Sequence, residues 1–410
     1  MKDLDCLALV LAGGRGSRLS VLTKDVSKPA VHFGGANRLI DFALSNCKHS
    51  NIGVVGVLTQ YRQRELVDYI GTGSEWTCPL GESKIAALPS KKGGECPVED
   101  YHGTADAIWK NRGFIEEHGR DNVLVLSGDH VYKMDYSKMI EAHQKSGAAV
   151  TVAAIHVLWS EASRYGIINT NGDDIITGFE EKPQKPKSNL ASMGVYVFNR
   201  EILKNHLYVS SNDPDSSMDI GRDIIPQMLY FREKINVYRF SGYWRDVGSI
   251  DSLWEANMDL LASPPSICFR DKSWGIIGRN DGLRQHFISY NSPNESVRKS
   301  LVAEGSVIKG RVIDSVVGEG VEIGEDSNVY GSVIMPGAKI GKGASIIRSI
   351  VGPNAIIGDY ASVSRVKPDG VHLDNCRGIN VIGSNVYIAG CNIKRIVYPV
   401  LKHAKAVAAM

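Results

Sequence analysis

The sequence predicts an α/β fold in two parts. A mostly parallel sheet covered by helices occupies residues 1–262, and a parallel β-helix occupies residues 300–410, with a linker at 263–299 between them. Three observations lead there. Apolar runs alternate with helically spaced segments along the first part, and such alternation builds parallel sheets with helices on both faces. The first run ends in a glycine-rich turn, where open α/β sheets place their ligands. From Val302 a short repeat sets in, in which apolar residues return at six-residue intervals and many are followed by glycine. That is the hexapeptide pattern of a β-helix.

The first strand is Leu7–Ala12, a continuous apolar run that reads as a strand buried on both faces. It stops at Gly13-Gly14-Arg15-Gly16-Ser17-Arg18. Glycines let the backbone turn sharply, and successive N–H groups in such a turn form an anion-binding nest. Arg15, Arg18 and Lys28 add cations, and arginine can hold phosphate with two parallel hydrogen bonds. The loop is not a Walker loop, because no Gly-Lys-Ser/Thr follows. Nor is it the dinucleotide fingerprint, because Leu19 stands where the third glycine belongs. A tight turn with solvated arginines is the alternative to a phosphate site.

Further strands are expected at Val54–Thr59, Val123–Ser127, Ala148–His156, Gly194–Phe198 and Ile235–Arg239, and another ending at Phe179-Glu180-Glu181-Lys182-Pro183. Helices are expected at Ile108–Glu117, Ser137–Lys145 and Ile220–Phe231. Ser263-Pro264-Pro265 opens the linker. In the repeat, Ile323, Val329 and Met335 stand six apart, as do Ile340 and Ile346, then Val351, Ile357 and Val363. One-residue slips at 335–340 and 346–351 predict loops at those corners. Each coil needs its neighbours to complete a core, so this part reads as structural and oligomerising. Hexapeptide helices also occur in acyltransferases, but no histidine on a coil suggests that chemistry.

Composition narrows the function classes. A net charge of +2 over 410 residues supplies no field for nucleic acid or an anionic membrane. Cysteines 6, 47, 78, 96, 268, 376 and 391 are scattered and never at C-x-x-C spacing, which points to reduced thiols in a cytoplasmic protein. The N-terminus MKDLD reaches a charged loop too soon for a signal peptide, and no apolar run approaches ~18 residues. No nucleic-acid partner and no membrane are therefore expected.

Two carboxylates stand out in the first part. Asp129 follows the strand in Ser127-Gly128-Asp129-His130, and Asp246 lies in Tyr243-Trp244-Arg245-Asp246-Val247-Gly248. Paired aspartates at strand ends suit a Mg²⁺ that also takes phosphate oxygens. Asp129 capping a turn and Asp246 paired with Arg245 is the alternative. His130 reads as an orienting group, since a phosphate oxygen already anionic at pH 7 needs no general base.

The string LAGGRGSRL…KPAV resembles the signature of the sugar-phosphate nucleotidyltransferases. The run from Lys28 to Gly35 and on from Arg38 to Cys47 narrows the resemblance to the glucose-1-phosphate adenylyltransferases, the ADP-glucose pyrophosphorylases of bacterial glycogen synthesis. The resemblance implies a Rossmann-like catalytic domain and a left-handed β-helix. It implies transfer of AMP from ATP to glucose 1-phosphate with Mg²⁺ on Asp129 and Asp246, and Arg15 and Lys28 on the leaving pyrophosphate. Leu11, Ala12, Gly13, Gly14, Gly16, Gln60, Gly103 and Thr104 would then serve the nucleotide, with Gln60 reading the base. Tyr101, Gly166, Glu181, Lys182, Ser192, Tyr243 and Trp244 would serve the sugar phosphate. A homotetramer and phosphorylated or nucleotide effectors are implied as well. A relative using UTP or GTP, or a non-catalytic regulatory homologue, is the rival reading. This chain departs from the family pattern at Asp100, Asn51 and Met218. It also carries Asp25-Val26 where several bacterial relatives have a Lys-Arg pair ahead of the Lys28-Pro29 segment.

Overall fold

The computed structural model describes residues 4–78, 83–90, 101–269, 271, 273–279, 287–289, 296–363 and 378–390. Among them, nine strands of the first part form one mixed sheet. Its parallel half runs Lys84–Pro89, Val54–Thr59, Cys6–Leu11, Asn122–Ser127 across the sheet. Leu7 and Leu9 enter one hydrophobic core and Ala8 and Val10 the other, as expected of a strand buried on both faces. The other half hangs on Leu190–Asn199, which runs antiparallel to Asn122–Ser127 and bulges between Ser192 and Tyr196. Gly194–Phe198 is only its second half. Val150–His156 pairs antiparallel with it, Ile235–Arg239 lies parallel to Val150–His156, and the hairpin Gly166–Thr170/Ile176–Glu181 joins at Ala191.

Two helices differ from expectation for local reasons. Ile108–Glu117 is split into Thr104–Lys110 and Arg112–His118. Asn111 lies at the break, and its side-chain amide donates to the Ala107 carbonyl, competing with the helical ladder. Ile220–Phe231 starts as the wide turn Ile220–Ile224, capped by Asp219, and continues as Ile225–Tyr230. Pro226 cannot donate to that turn.

The second part is a prism of three short sheets whose successive coils pair in parallel. Val312, Val317, Ile323, Val329, Ile334, Ile340, Ile346, Val351, Ile357 and Val363 share its core. The buried serines repeat at 15 and then 17 residues. Three full six-residue sides would need one residue more than the 17, and the shortage falls at one corner each time. There a left-handed residue precedes a buried serine: Lys299-Ser300, Asp314-Ser315, Gly331-Ser332 and Arg348-Ser349. Each serine hydroxyl donates to the carbonyl two residues back. Ser300, Ser315 and Ser332 each accept the backbone N–H of the next serine in the ladder, at 3.1 Å. The inward residue after this corner is therefore Ile334, not Met335 as the sequence period suggested, and the slip falls before 334 rather than at 335–340. Met335 is buried the other way, against the first part.

That second direction is the domain joint. Leu301, Val316, Val333, Ile350 and Val381 pack into one core with Leu19, Leu22, Val31, Phe33 and Phe42, and with Leu253 and Ala256 of helix Ile250–Asp259. Trp254 Nε1 donates to the Gly331 carbonyl at 2.8 Å, and the Arg348 guanidinium lies 4.9 Å from the Trp254 ring centroid. The described part of the linker is strapped down. Trp274 Nε1 donates to Asn46 Oδ1 (2.9 Å), the Ile277 N–H to Ser45 Oγ (2.8 Å), and Trp76 Nε1 to the Ile277 carbonyl (2.8 Å). Within the stretch expected to be linker, Phe287–Ser289 and Val297–Arg298 already pair with coil strands. Asp100, Cys96, Cys376 and Cys391 lie outside the described residues.

Candidate active site

The glycine loop leaves the carboxyl end of the central strand, where the Ala12 N–H still donates to the Leu58 carbonyl at 2.9 Å. Leu11 accepts from the Gly128 N–H at 3.0 Å, which sets the loop beside Asp129. Gly13 abuts Gln60: a Cβ there would lie 3.2 Å from the Gln60 Cβ. Gly14 and Arg15 are exposed, with the Arg15 guanidinium 5.8 Å from the Tyr61 ring centroid. Gly16 is left-handed (φ 64°), and a Cβ on it would meet the Lys28 Cβ at 2.9 Å. The Lys28 N–H donates to the Gly14 carbonyl at 3.3 Å. The loop thus folds back onto Lys28 and fixes where that side chain starts.

The two aspartates meet through a small ribbon. His130–Tyr132 pairs antiparallel with Trp244–Asp246, and Asp246 stands opposite His130. Lys28 Nζ lies 2.6 Å from Asp129 Oδ2 and 3.2 Å from Asp246 Oδ1. The three side chains are 7%, 19% and 18% exposed. Burial alone would raise both carboxyl pKa values. The charges of Lys28 and His130 overcome it and hold both carboxyls below the usual carboxylate range. Burial would likewise lower the Lys28 ammonium, and the two carboxylates push it up instead. Ser127 Oγ donates to Asp129 Oδ1. His130 Nδ1 lies 3.1 Å from the Met193 carbonyl, so that nitrogen carries the proton. Nε2 then faces Asp129 and Asp246 at 3.6 and 3.8 Å. Arg245 pairs with Asp259 at 3.0 Å and not with Asp246, which removes the ion-pair alternative.

These are two ionised oxygen donors, Asp246 on the ribbon and Asp129 immediately ahead of it. Mg²⁺ commonly takes one or two carboxylates plus substrate phosphates, so the pair fits that ion. Among the described residues no three His, Cys, Asp or Glu side chains cluster to hold a metal unaided.

A second group of side chains adjoins the ribbon. Glu181 pairs with Gly166, where a Cβ would lie 2.9 Å from Glu181 Oε2 and 2.6 Å from Phe179. Lys182 is left-handed (φ 49°); its N–H donates to the Tyr165 carbonyl at 3.1 Å and its Nζ lies 2.9 Å from Glu181 Oε1. The Tyr165 ring is 5.4 Å from Trp244, and Trp244 is 5.2 Å from His130. This aromatic contact links the aspartates to Lys182. Trp244 Nε1 is buried with no partner among the described residues. Ser192 Oγ donates to the Tyr196 hydroxyl at 3.2 Å and accepts from the Gly194 N–H at 3.3 Å.

Other expected residues are engaged with partners of their own. Tyr243 donates to Asp259 Oδ2 at 2.8 Å, and strand alternation turns it away from the face that carries Trp244 and Asp246. Tyr101 accepts from Asn111 Nδ2 at 3.0 Å. Thr104 Oγ1 donates to Asp219 Oδ2 (3.0 Å) and accepts from the Ile220 N–H (2.9 Å), while Gly103 packs on the Ser217 and Met218 carbonyls. Gly103 therefore packs on the 217–220 loop and Thr104 is bonded to it, and Gly221 just after it abuts Glu181 Oε2. Sequence reasoning missed Asp219 and the carbonyl of Met193. Asp219 before a helix start was a readable cap signal. Arg18, read from the sequence as one of the loop's cations, also lies beside Asp246: a Cβ on Gly248 would lie 2.9 Å from Arg18 Nη2 and 3.1 Å from Asp246 Oδ1.

A cavity of about 330 Å³ opens at the domain joint, lined by His32, Ala36, Arg38, Tyr69, Arg279, Glu319 and Pro336. Burial, aided by the Arg38 charge, pushes the His32 imidazole down to about 3.

Comparison with known proteins adds the following. The family described as nucleotidyl transferase matches residues 7–263, and that described as GlmU-like, C-terminal hexapeptide matches residues 286–368. A protein of Bacillus cytotoxicus named glucose-1-phosphate adenylyltransferase is 48% identical over 331 residues, covering 80% of this chain and 86% of its own length. Proteins of the same name from Clostridium acetobutylicum and Bacillus subtilis are each 48% identical, covering 80% and 79% of this chain and 85% and 84% of their own lengths.

Proposed function

The chain belongs to the nucleotidyl transferase family, among its glucose-1-phosphate adenylyltransferases, and from that membership we propose how its residues carry the reaction. It is an enzyme that transfers AMP from ATP to glucose 1-phosphate, giving ADP-glucose and pyrophosphate. The observation that supports the residue roles is Lys28 held between Asp129 and Asp246 beside the glycine loop.

The reaction breaks the bond between the α- and β-phosphates of ATP and forms one from the α-phosphorus to a phosphate oxygen of the sugar. That oxygen is already anionic, so no side chain need remove a proton. Positioning and charge relief remain. Leu11 to Gly14, with Gly16, present loop backbone to the nucleotide, and Gln60 beside Gly13 meets the base. Arg15 and Lys28 hold the leaving pyrophosphate. Lys182 meets the incoming phosphate as a compact point charge, and Glu181 accepts from sugar hydroxyls. The unpartnered Trp244 indole N–H offers one more donor to the sugar phosphate. Asp129 and Asp246 would hold Mg²⁺, which when bound relieves charge on the reacting phosphates. His130, donating to the Met193 carbonyl, keeps its other nitrogen toward both carboxylates.

A homotetramer built on the β-helix is part of the same reading, as are phosphorylated effectors in the joint cavity beside Arg38 and Arg279. Among the described residues Cys6, Cys47, Cys78 and Cys268 are free thiols, which accords with a cytoplasmic setting. No helix among them is long and apolar enough to cross a membrane. The test is incubation with glucose 1-phosphate, Mg²⁺ and each of ATP, UTP and GTP, with pyrophosphate as readout. Release from ATP alone is expected. Equal release from UTP or GTP would overturn the base choice, and no release from any would make the chain a non-catalytic relative.

A further inference from the structure

We infer that Lys28 is a displaceable counter-ion. A divalent cation entering at Asp129 and Asp246 expels its ammonium, which then grips the phosphate on the glycine loop, so metal and phosphate bind cooperatively through one side chain. The inference rests on the reading of the two aspartates as metal ligands.

Three observations carry it. First, the ammonium already uses the facing oxygens, at 2.6 Å from Asp129 Oδ2 and 3.2 Å from Asp246 Oδ1. A Mg²⁺ would need those oxygens at about 2.0–2.1 Å. The ammonium and the dication would then share one small, poorly screened space and repel each other, and the weaker charge leaves. Second, Lys28 cannot retreat into solvent as a surface lysine would. Its side chain is 7% exposed, its N–H is held by the Gly14 carbonyl and its Cβ rests against Gly16. The head can sweep only about that fixed point, and the glycine loop lies directly over it. Third, without a metal Lys28 is held by both carboxylates, with His130 beside the pair, and is not free to meet a phosphate. With the dication in place and Lys28 released, the same few ångströms gain positive charge and a free ammonium. A static salt bridge would give no such change. Coupling of this kind is reciprocal: phosphate must favour the metal by the factor by which the metal favours phosphate.

The test measures Mn²⁺ binding to the full chain by electron paramagnetic resonance, without nucleotide. Lys28→Met should bind Mn²⁺ at least tenfold more tightly than the unmodified protein. Its metal-free melting temperature should fall, because two buried carboxylates lose their partner, and Mn²⁺ should raise that temperature more than it does for the unmodified protein. Inorganic phosphate should tighten Mn²⁺ binding several-fold in the unmodified protein and less in the variant. Lys28→Gln, with the same expectations, replaces a Lys28→Met that does not fold. Equal or weaker Mn²⁺ binding by the variant overturns the displacement, and equal tightening by phosphate overturns the coupling. Asp129→Asn and Asp246→Asn separate the premises. If both bind Mn²⁺ as the unmodified protein does, the metal assignment itself falls. If they lose Mn²⁺ while Lys28→Met gains nothing, only the present inference falls.

Discussion

The serine ladder of the β-helix and the Lys28–Asp129–Asp246 centre are both buried polar systems, but they differ in what they leave open. Ser300, Ser315 and Ser332 each donate to a carbonyl two residues back and accept the next serine's N–H, so every bond is met within the chain. The groups are neutral, alike and repeated. In the catalytic domain the partners come from residues 28, 129 and 246, carry full charges and stand unequal in number. Two carboxylates face one ammonium, with His130 and an unpartnered indole beside them. A polar network closed on itself holds a fold. One with acceptor capacity and charge left over is built for a ligand.

Exchanging members of the two networks should separate these roles. The largest effect is expected at the charged centre. Asp129→Asn and Asp246→Asn should each lower kcat by about 10²–10³-fold, the usual consequence of removing one preorganised electrostatic partner, while the fold survives. A folded variant with near-normal turnover under saturating Mg²⁺ would refute the assignment. Next comes the ladder. Ser332→Ala strips the acceptor from the Ser349 N–H and should cost about 1–3 kcal/mol of stability, seen as a lower melting temperature, with kcat per folded enzyme unchanged. A loss of kcat at full folding would mean that the ladder is not merely structural. Lys182→Gln should raise KM for glucose 1-phosphate about tenfold, roughly 1.4 kcal/mol, with KM for ATP little moved. An ATP-specific defect would shift Lys182 to the nucleotide side. The smallest effect is expected from fructose 1,6-bisphosphate. Asp25 and Val26 bring no cation for its phosphates, so titration at sub-saturating ATP should give weak activation or none, and Asp25→Lys should increase it. Strong activation of the unmodified protein would show that Arg38 and Arg279 suffice.

The candidate site was legible where chemistry is written locally. The glycine loop, the carboxylate after an apolar strand and the Glu181-Lys182-Pro183 stop all announce themselves within a few residues. What hid was set by distance. Nothing around Leu190–Asn199 says that it inserts antiparallel beside Asn122–Ser127, because that register depends on partners some 70 residues away. Tyr243 and Trp244 are neighbours in sequence, and only strand alternation sends one to Asp259 and the other to His130. The β-helix period misplaced Met335 for a similar reason. Val333-Ile334-Met335 is apolar throughout, and a six-residue rule does not tell inward from joint-facing when both directions are dry.

The joint row of Leu301, Val316, Val333, Ile350 and Val381 also bears on how the chain is made. Synthesis runs from the N-terminus, so the first part leaves the ribosome before the coil residues that share a core with Leu19, Phe33 and Phe42 have emerged. During that interval the nascent chain shows an apolar strip to whatever surrounds it and is a natural chaperone client. A polypeptide ended at residue 262 stays in that state permanently. It should collect in the insoluble fraction on expression even though it contains every proposed catalytic residue, and supplying residues 263–410 as a separate chain should return part of it to solution.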